Sequence, residues 1–197
     1  VHGDTLPLDP TQYSLIIGTG GELNDFQTQP EYEDIRTSIR TFFAKVLTTK
    51  TPFAVTCATH QILGELLHEL HGGQQSIVDN LKDEHGVHTT ESGSVVFTLT
   101  DTGKTSRLTS TLKENFNIMS HHGQYLTQIP PGAVSLAYNS VCNTQILEYK
   151  DGASLTVGIG FQGHPEMSNA VLMLSNRFAQ AEALGRRNAP GGTTHPI

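Results

Sequence analysis

The chain has 197 residues, of which 36% are apolar and 16% charged, with a net charge of −7. That composition fits a single compact globular domain and excludes a charge-rich disordered chain. The 12 Lys and Arg residues are scattered rather than clustered, which argues against a nucleic-acid-binding face, and no apolar run is long enough to span a membrane.

Two cysteines, Cys57 and Cys142, are too few for a disulfide framework, and no CxxC pair points to zinc. We expect no metal and no cofactor, and a reducing, cytoplasmic setting. The opening segment VHGDTLPLDP reads as a loop without an initiator Met, so residues upstream are expected to be missing.

YSLIIGTGG (Tyr13–Gly21) is a short β-type run closed by glycines, as in a buried parallel strand. In PEYEDIRTSIRTFFAKVLTTK, Ile35, Ile39, Phe42, Phe43 and Val46 recur at helical spacing behind Pro30 and acidic residues. PFAVTC (Pro52–Cys57) is the next strand, and HQILGELLHELHGG the next helix, stopped by Gly72 and Gly73. This strand–helix–strand–helix order predicts a parallel sheet with crossover helices.

Short strands follow, read in SVVFTLT, NFNIMS, AVSLAYNS, NTQILEYKDG and ASLTVGIGFQ, with KDG as a hairpin signal. SNAVLMLSNRFAQAEALG returns to helical spacing, and RRNAPGGTTHPI reads as a tail. The expected organisation is one domain over residues 1–185 and a flexible tail over 186–197. The expected fold is α/β: an open, mostly parallel sheet flanked by helices, with a small antiparallel β extension.

Three pieces carry polar residues that such a core does not need. Cys57 ends a strand directly before a helix, where a side chain overlooks the C-terminal edge of the sheet. The free N–H groups and dipole of a helix N-terminus favour a thiolate there, and the following N–H can serve an oxyanion. In GFQGHPEM, His164 and Glu166 flank Pro165; an imidazole can take a thiol proton and a carboxylate can orient it. GTGGE, Gly18–Glu22, offers backbone amides for an oxyanion or a substrate carboxylate.

Taken together, VTCATHQ (Val55–Gln61), QGHPE (Gln162–Glu166), HHGQYLTQIPPGA (His121–Ala133) and LIIGTGG resemble the class I glutamine amidotransferases, in particular the glutaminase domain of GMP synthetase. The resemblance runs from about Tyr13 to Glu166. It implies a flavodoxin-like fold whose first strand and helix are absent here. It implies a triad in which Cys57 attacks the glutamine side-chain amide, His164 is base and then acid, and Glu166 orients His164. Ala58 with Gly20 and Gly21 would form the oxyanion hole. Gln61 and the backbone around His121 and His122 would grip the glutamine α-groups, with spacing to Pro130 favouring His122 as the family histidine. The implied partner is a separate synthetase or acceptor subunit that takes the ammonia.

Two departures stand at the elbow. Val55 and Thr59 occupy positions where the family has glycines that relieve crowding. They keep open two other readings: a γ-glutamyl hydrolase or peptidase with the same triad, and a non-catalytic regulatory subunit. His60 reads as a capping or surface residue. His68, His71, His85 and His88 read as solvated, Tyr125 as a packing residue and Cys142 as a bystander.

Overall fold

A computed structural model of the chain describes residues 6–7, 9–21 and 33–167. Contacts divide the chain into two units, Val1–His164 and Pro165–Ile197. The expected helix over 168–185 and the tail over 186–197 lie outside the described residues, as do Pro30 and the acidic residues before Glu33.

The first unit contains β1 (Ile16–Gly18), α1 (Glu33–Thr49), β2 (Phe53–Thr56), α2 (Cys57–Leu70), β3 (Val78–Asn80), β4 (Glu91–Leu99), α3 (Asp101–Thr105), β5 (Asn115–His122), β6 (Gln124–Leu126), β7 (Ala133–Tyr138), β8 (Ile146–Lys150) and β9 (Thr156–Phe161). Seven strands form one sheet in the order β1-β2-β9-β8-β7-β4-β5, and β3 pairs with β6 in a separate two-stranded sheet. β1, β2 and β9 run parallel, whereas the β9–β8, β8–β7, β7–β4 and β4–β5 pairs are antiparallel. The parallel strands thus form one end of the sheet, and the antiparallel extension is its longer part.

The helical spacing read in the sequence accounts for the core. Phe42, Phe43 and Val46 of α1 and Leu63, Leu66 and Leu67 of α2 pack with Phe53, Val55, Leu147 and Tyr149 of the sheet. Phe43 meets Phe42 and Phe53 edge-on, with ring centroids 5.8 and 6.1 Å apart. Each fully buried side chain of this size contributes about 1.5–3 kcal/mol. A second cluster joins Phe97, Leu99, Ile118, Leu136 and Ile146 in the antiparallel part.

Several boundaries differ from the sequence expectation. α2 starts at Cys57 instead of His60, so the strand passes into the helix with no loop between them. β4 starts at Glu91, three residues before Ser94. β3 and β6 are three residues each, too short to show alternation in sequence. The turn of helix at Asp101–Thr105 is held by a cap: Thr100 Oγ1 accepts from the Gly103 N–H at 2.9 Å. Among the described residues no helix is long and apolar enough to cross a membrane. In the second unit, Pro165–Met167 forms a single 3-10 turn.

Candidate active site

The strand-to-helix junction forces an unusual backbone. Thr56 is extended (φ −127°, ψ 149°), and Cys57, the first residue of α2, has φ +47°. A residue with a Cβ in this left-handed region costs about 1–3 kcal/mol and persists only where its surroundings hold it.

Those surroundings are the loop after β1. Thr56 Oγ1 accepts from the Gly20 N–H at 3.1 Å, and Thr59 Oγ1 donates to the Thr19 carbonyl at 2.6 Å. Two hydroxyls on either side of Cys57 therefore fasten that loop to the elbow. The bulk of Val55 and Thr59 is taken up by a glycine on the neighbouring strand. A Cβ on Gly18 would lie 2.6 Å from Thr59 Cγ2 and 3.1 Å from Val55 Cγ1. Val55 is fully buried and packed in the main core.

His164 is brought to the same place from the far end of the sequence. It follows β9, which pairs in parallel with β2. Its backbone N–H donates to the Met119 carbonyl at 2.7 Å, which fixes the segment against β5. A Cβ on Gly20 would stand 2.8 Å from Cys57 Cβ, 2.8 Å from His164 Cε1 and 3.6 Å from Cys57 Sγ. Cys57 and His164 thus both border Gly20, and both are buried. Gly21 is open, with nothing within 4 Å of where its Cβ would be. Glu166 lies in the second unit, on the Pro165–Met167 turn.

The residues expected to grip substrate are distributed differently. Cys57 Sγ lies 3.9 Å from the His121 carbonyl oxygen. The His121 side chain is exposed, with Nδ1 3.2 Å from Ser92 Oγ. His122 is buried; Nδ1 donates to the Gln124 carbonyl at 2.9 Å and Nε2 meets Glu91 Oε2 at 2.9 Å. Gln61 is also buried, and its amide donates to the Gln124 carbonyl at 2.8 Å and to Gln162 Oε1 at 3.3 Å. Gln61 and His122 therefore converge on one carbonyl at the start of β6.

His60 corrects the expectation of a capping or surface residue: it is fully buried. Its Nε2 donates to the Thr144 carbonyl at 3.1 Å, which leaves Nδ1 to accept from Tyr149 Oη at 3.1 Å. Burial drives its pKa down from about 6.5 to about 3, against the Thr144 hydrogen bond and with a further push from the charge of His122. β9 carries Gly160 opposite this ring, where a Cβ would come 2.3 Å from His60 Nδ1. Cys142 is a buried thiol pushed up to about 11 by its burial.

Glu91 is a buried polar residue that sequence reading does not single out. Its Oε2 accepts from Ser120 Oγ at 2.8 Å, His122 Nε2 at 2.9 Å and Gln145 Nε2 at 3.0 Å, and its Oε1 accepts from Asn139 Nδ2 at 2.6 Å. Burial alone would raise its pKa, but the hydrogen bonds from His122, Ser120 and Asn139 and the charge of His122 outweigh it and hold the carboxyl at about 2. The signal in the sequence is alternation. Leu99, Phe97 and Val95 continue back through Gly93 to Glu91 on one face of β4.

A thiol at a helix N-terminus and an imidazole border the same glycine, beside an exposed Gly21, a set of groups suited to acyl transfer. The architecture has solved counterparts. A glutamine amidotransferase from Thermotoga maritima superposes with a TM-score of 0.61 at 16% identity, covering 94% of this chain and 69% of that one. A glutamine amidotransferase from Methylobacillus flagellatus gives 0.59 at 23% identity, over 91% of this chain and 62% of that one. The glutaminase domain of Trypanosoma brucei CTPS, solved with bound acivicin, gives 0.63 at 11% identity, over 93% and 75%. The chain has the class I glutamine amidotransferase fold. No protein-family model and no curated protein sequence matches it. Within this amidotransferase fold, β1, β2 and β9 end at the same edge, the edge where open α/β sheets bind their ligands.

Proposed function

We propose that the chain hydrolyses the side-chain amide of glutamine through Cys57. The observation that carries this reading is Gly20, where a Cβ would collide with both Cys57 and His164, while Cys57 sits at φ +47° at the start of α2. Strain of this kind is held where a nucleophile must be presented, and here two hydroxyl tethers hold it.

In this reading His164 takes the thiol proton as Sγ attacks the amide carbon. The oxyanion is met by the N–H groups of Ala58 and Gly21. Gly20 contributes by having no side chain, and its own N–H fixes the loop through Thr56. Collapse of the tetrahedral intermediate breaks the carbon–nitrogen bond. His164 returns its proton to the leaving nitrogen, giving ammonia and a γ-glutamyl thioester. Water activated by the neutral imidazole then releases glutamate and regenerates the thiol. Glu166, two residues from His164, orients the imidazole. Gln61, His121 and His122 shape the pocket for the α-amino and α-carboxylate groups of glutamine. The ammonia passes to a separate acceptor subunit.

The packing of Val55 and Thr59 against Gly18 supports a working elbow over a drifted one. Glutamate release from glutamine, measured beside Cys57→Ala, tests the reading. Release that disappears in the variant is the expected result; equal release from both would overturn it.

A further inference from the structure

We infer that Glu91 is a positioning residue that fixes the β5–β6 turn against Cys57 and so sets the affinity for glutamine. The inference rests on the proposed glutaminase reading and extends it to a residue outside the thiol–imidazole pair.

The argument starts from the register. Glu91 pairs with His122 and Ser92 with His121 across β4 and β5. Residues 120 and 122 point inward and residue 121 outward, so Ser120 and His122 both reach the Glu91 carboxylate. Asn139 reaches it from the end of β7, and Gln145 from just before β8. A single buried carboxylate therefore ties four segments together.

The ties lead to the thiol by two routes. His122 donates onward to the Gln124 carbonyl, which also accepts from Gln61, four residues after Cys57 on α2. The His121 carbonyl, between Ser120 and His122, lies 3.9 Å from Cys57 Sγ. With His122 and Ser120 both held by Glu91, that carbonyl has little freedom. A backbone carbonyl beside the nucleophile is suited to an ammonium group, and the α-amino group of glutamine is one.

The chemistry requires a carboxylate at this position. All four of its partners are donors, so an amide would turn an N–H₂ group toward at least one of them. The penalty of a buried donor facing a donor would be relieved by movement of the turn. Neither Cys57 nor His164 is bonded to Glu91, and the contact of Sγ with the His121 carbonyl, at 3.9 Å, is too long to govern the thiol, so its reactivity should survive.

The test follows alkylation of Cys57 by iodoacetamide, read by peptide mass, with glutamine as protectant. Thermal melting is recorded in parallel. Buried Cys142 serves as the internal unreactive thiol. In Glu91→Gln we expect alkylation without glutamine to stay within about twofold of wild type, while the glutamine concentration for half-protection rises at least about tenfold, the equivalent of one poorly made buried hydrogen bond. Glu91→Asp should recover part of that loss. Ser120→Ala, which removes one tie and keeps the carboxylate, should raise half-protection about threefold, and it carries the test where Glu91→Gln does not fold. Glutamate release should show the same change in KM with little change in kcat.

Unchanged half-protection in folded Glu91→Gln, or in Ser120→Ala, would overturn the inference, even with a lowered melting temperature. Wild-type Cys57 that glutamine does not protect at all would instead overturn the glutaminase reading, and the inference with it.

Discussion

Gly18 and Thr59 divide one space between them: a methyl group on Gly18 would come within 2.6 Å of Thr59 Cγ2. The elbow thus places its glycine on the neighbouring strand, where it leaves room for β-branched residues on both sides of Cys57. Gly18→Ala should cost about 1–3 kcal/mol of stability through overpacking. Thr59→Ser keeps the hydroxyl that donates to Thr19 and removes the clashing methyl. In that background the same alanine should cost about 1 kcal/mol less, a coupling that a double-mutant cycle in urea would read.

Gly20→Ala should behave differently. The added methyl would collide with Cys57 Cβ and His164 Cε1 together. Glutamate release should fall at least about a hundredfold, since small displacements of reacting groups are this costly. A variant with near wild-type release would show that the two residues do not work against Gly20.

Thr56→Val removes the acceptor of the Gly20 N–H while preserving shape. Loss of one such bond should cost about 1 kcal/mol in a melt. Glutamate release should drop by more than stability alone explains, because the freed loop carries the Gly21 amide assigned to the oxyanion. Equal losses in the melt and in the rate would remove the loop from the mechanism.

Acid should destabilise the fold in two stages. His60 stays neutral in the native state down to about pH 3, whereas the unfolded residue takes a proton near 6.5. The unfolded state therefore binds more protons as pH falls below 6.5, and stability declines from there by up to about 1.4 kcal/mol per pH unit for this one group. Glu91 adds its own loss only below about 4.5, because the folded carboxyl holds off its proton to about 2. Urea denaturation at pH 7, 6 and 5 should show His60→Gln with the flatter profile. Parallel slopes for variant and wild type would contradict the buried neutral imidazole.

Cys142 should resist iodoacetamide in the folded protein at pH 8, where its thiol, raised to about 11, remains protonated and covered. Modification of Cys142 ahead of Cys57 would contradict the burial described.

Much of this site was readable from the chain because its chemistry sits where periodicity changes. Cys57 stands between a strand and a helical pattern, and His164 follows a strand of small and apolar residues, so both stand out in the sequence; the structure puts both beside Gly20. The helical stripes through Phe42, Phe43 and Val46 and through Leu63, Leu66 and Leu67 likewise announced the core. Polar residues inside the fold were harder. His60, Glu91 and Gln145 are types that normally face water, and their burial depends on partners far away in sequence: Tyr149, His122 and Glu91. Nothing in their immediate neighbours records those partners. The two-stranded sheet of β3 and β6 was invisible for a related reason, since three residues carry too little pattern to outweigh a loop.

The arrangement of β1, β2 and β9 also sets the order in which this molecule can become competent. β9 enters the sheet between β2 and β8, yet it is the last strand described in the chain. During synthesis Cys57 emerges before β3 to β9, on a strand and helix that can already pack with α1. The imidazole emerges after every other strand of the sheet. Contacts between such distant segments form slowly, because a long loop must close before they are rewarded. A growing chain thus carries Cys57 through the synthesis of every strand from β3 to β9 before His164 follows. Cys57 and His164 come to border Gly20 only once β9 has entered the sheet, so the proposed chemistry waits for completed folding.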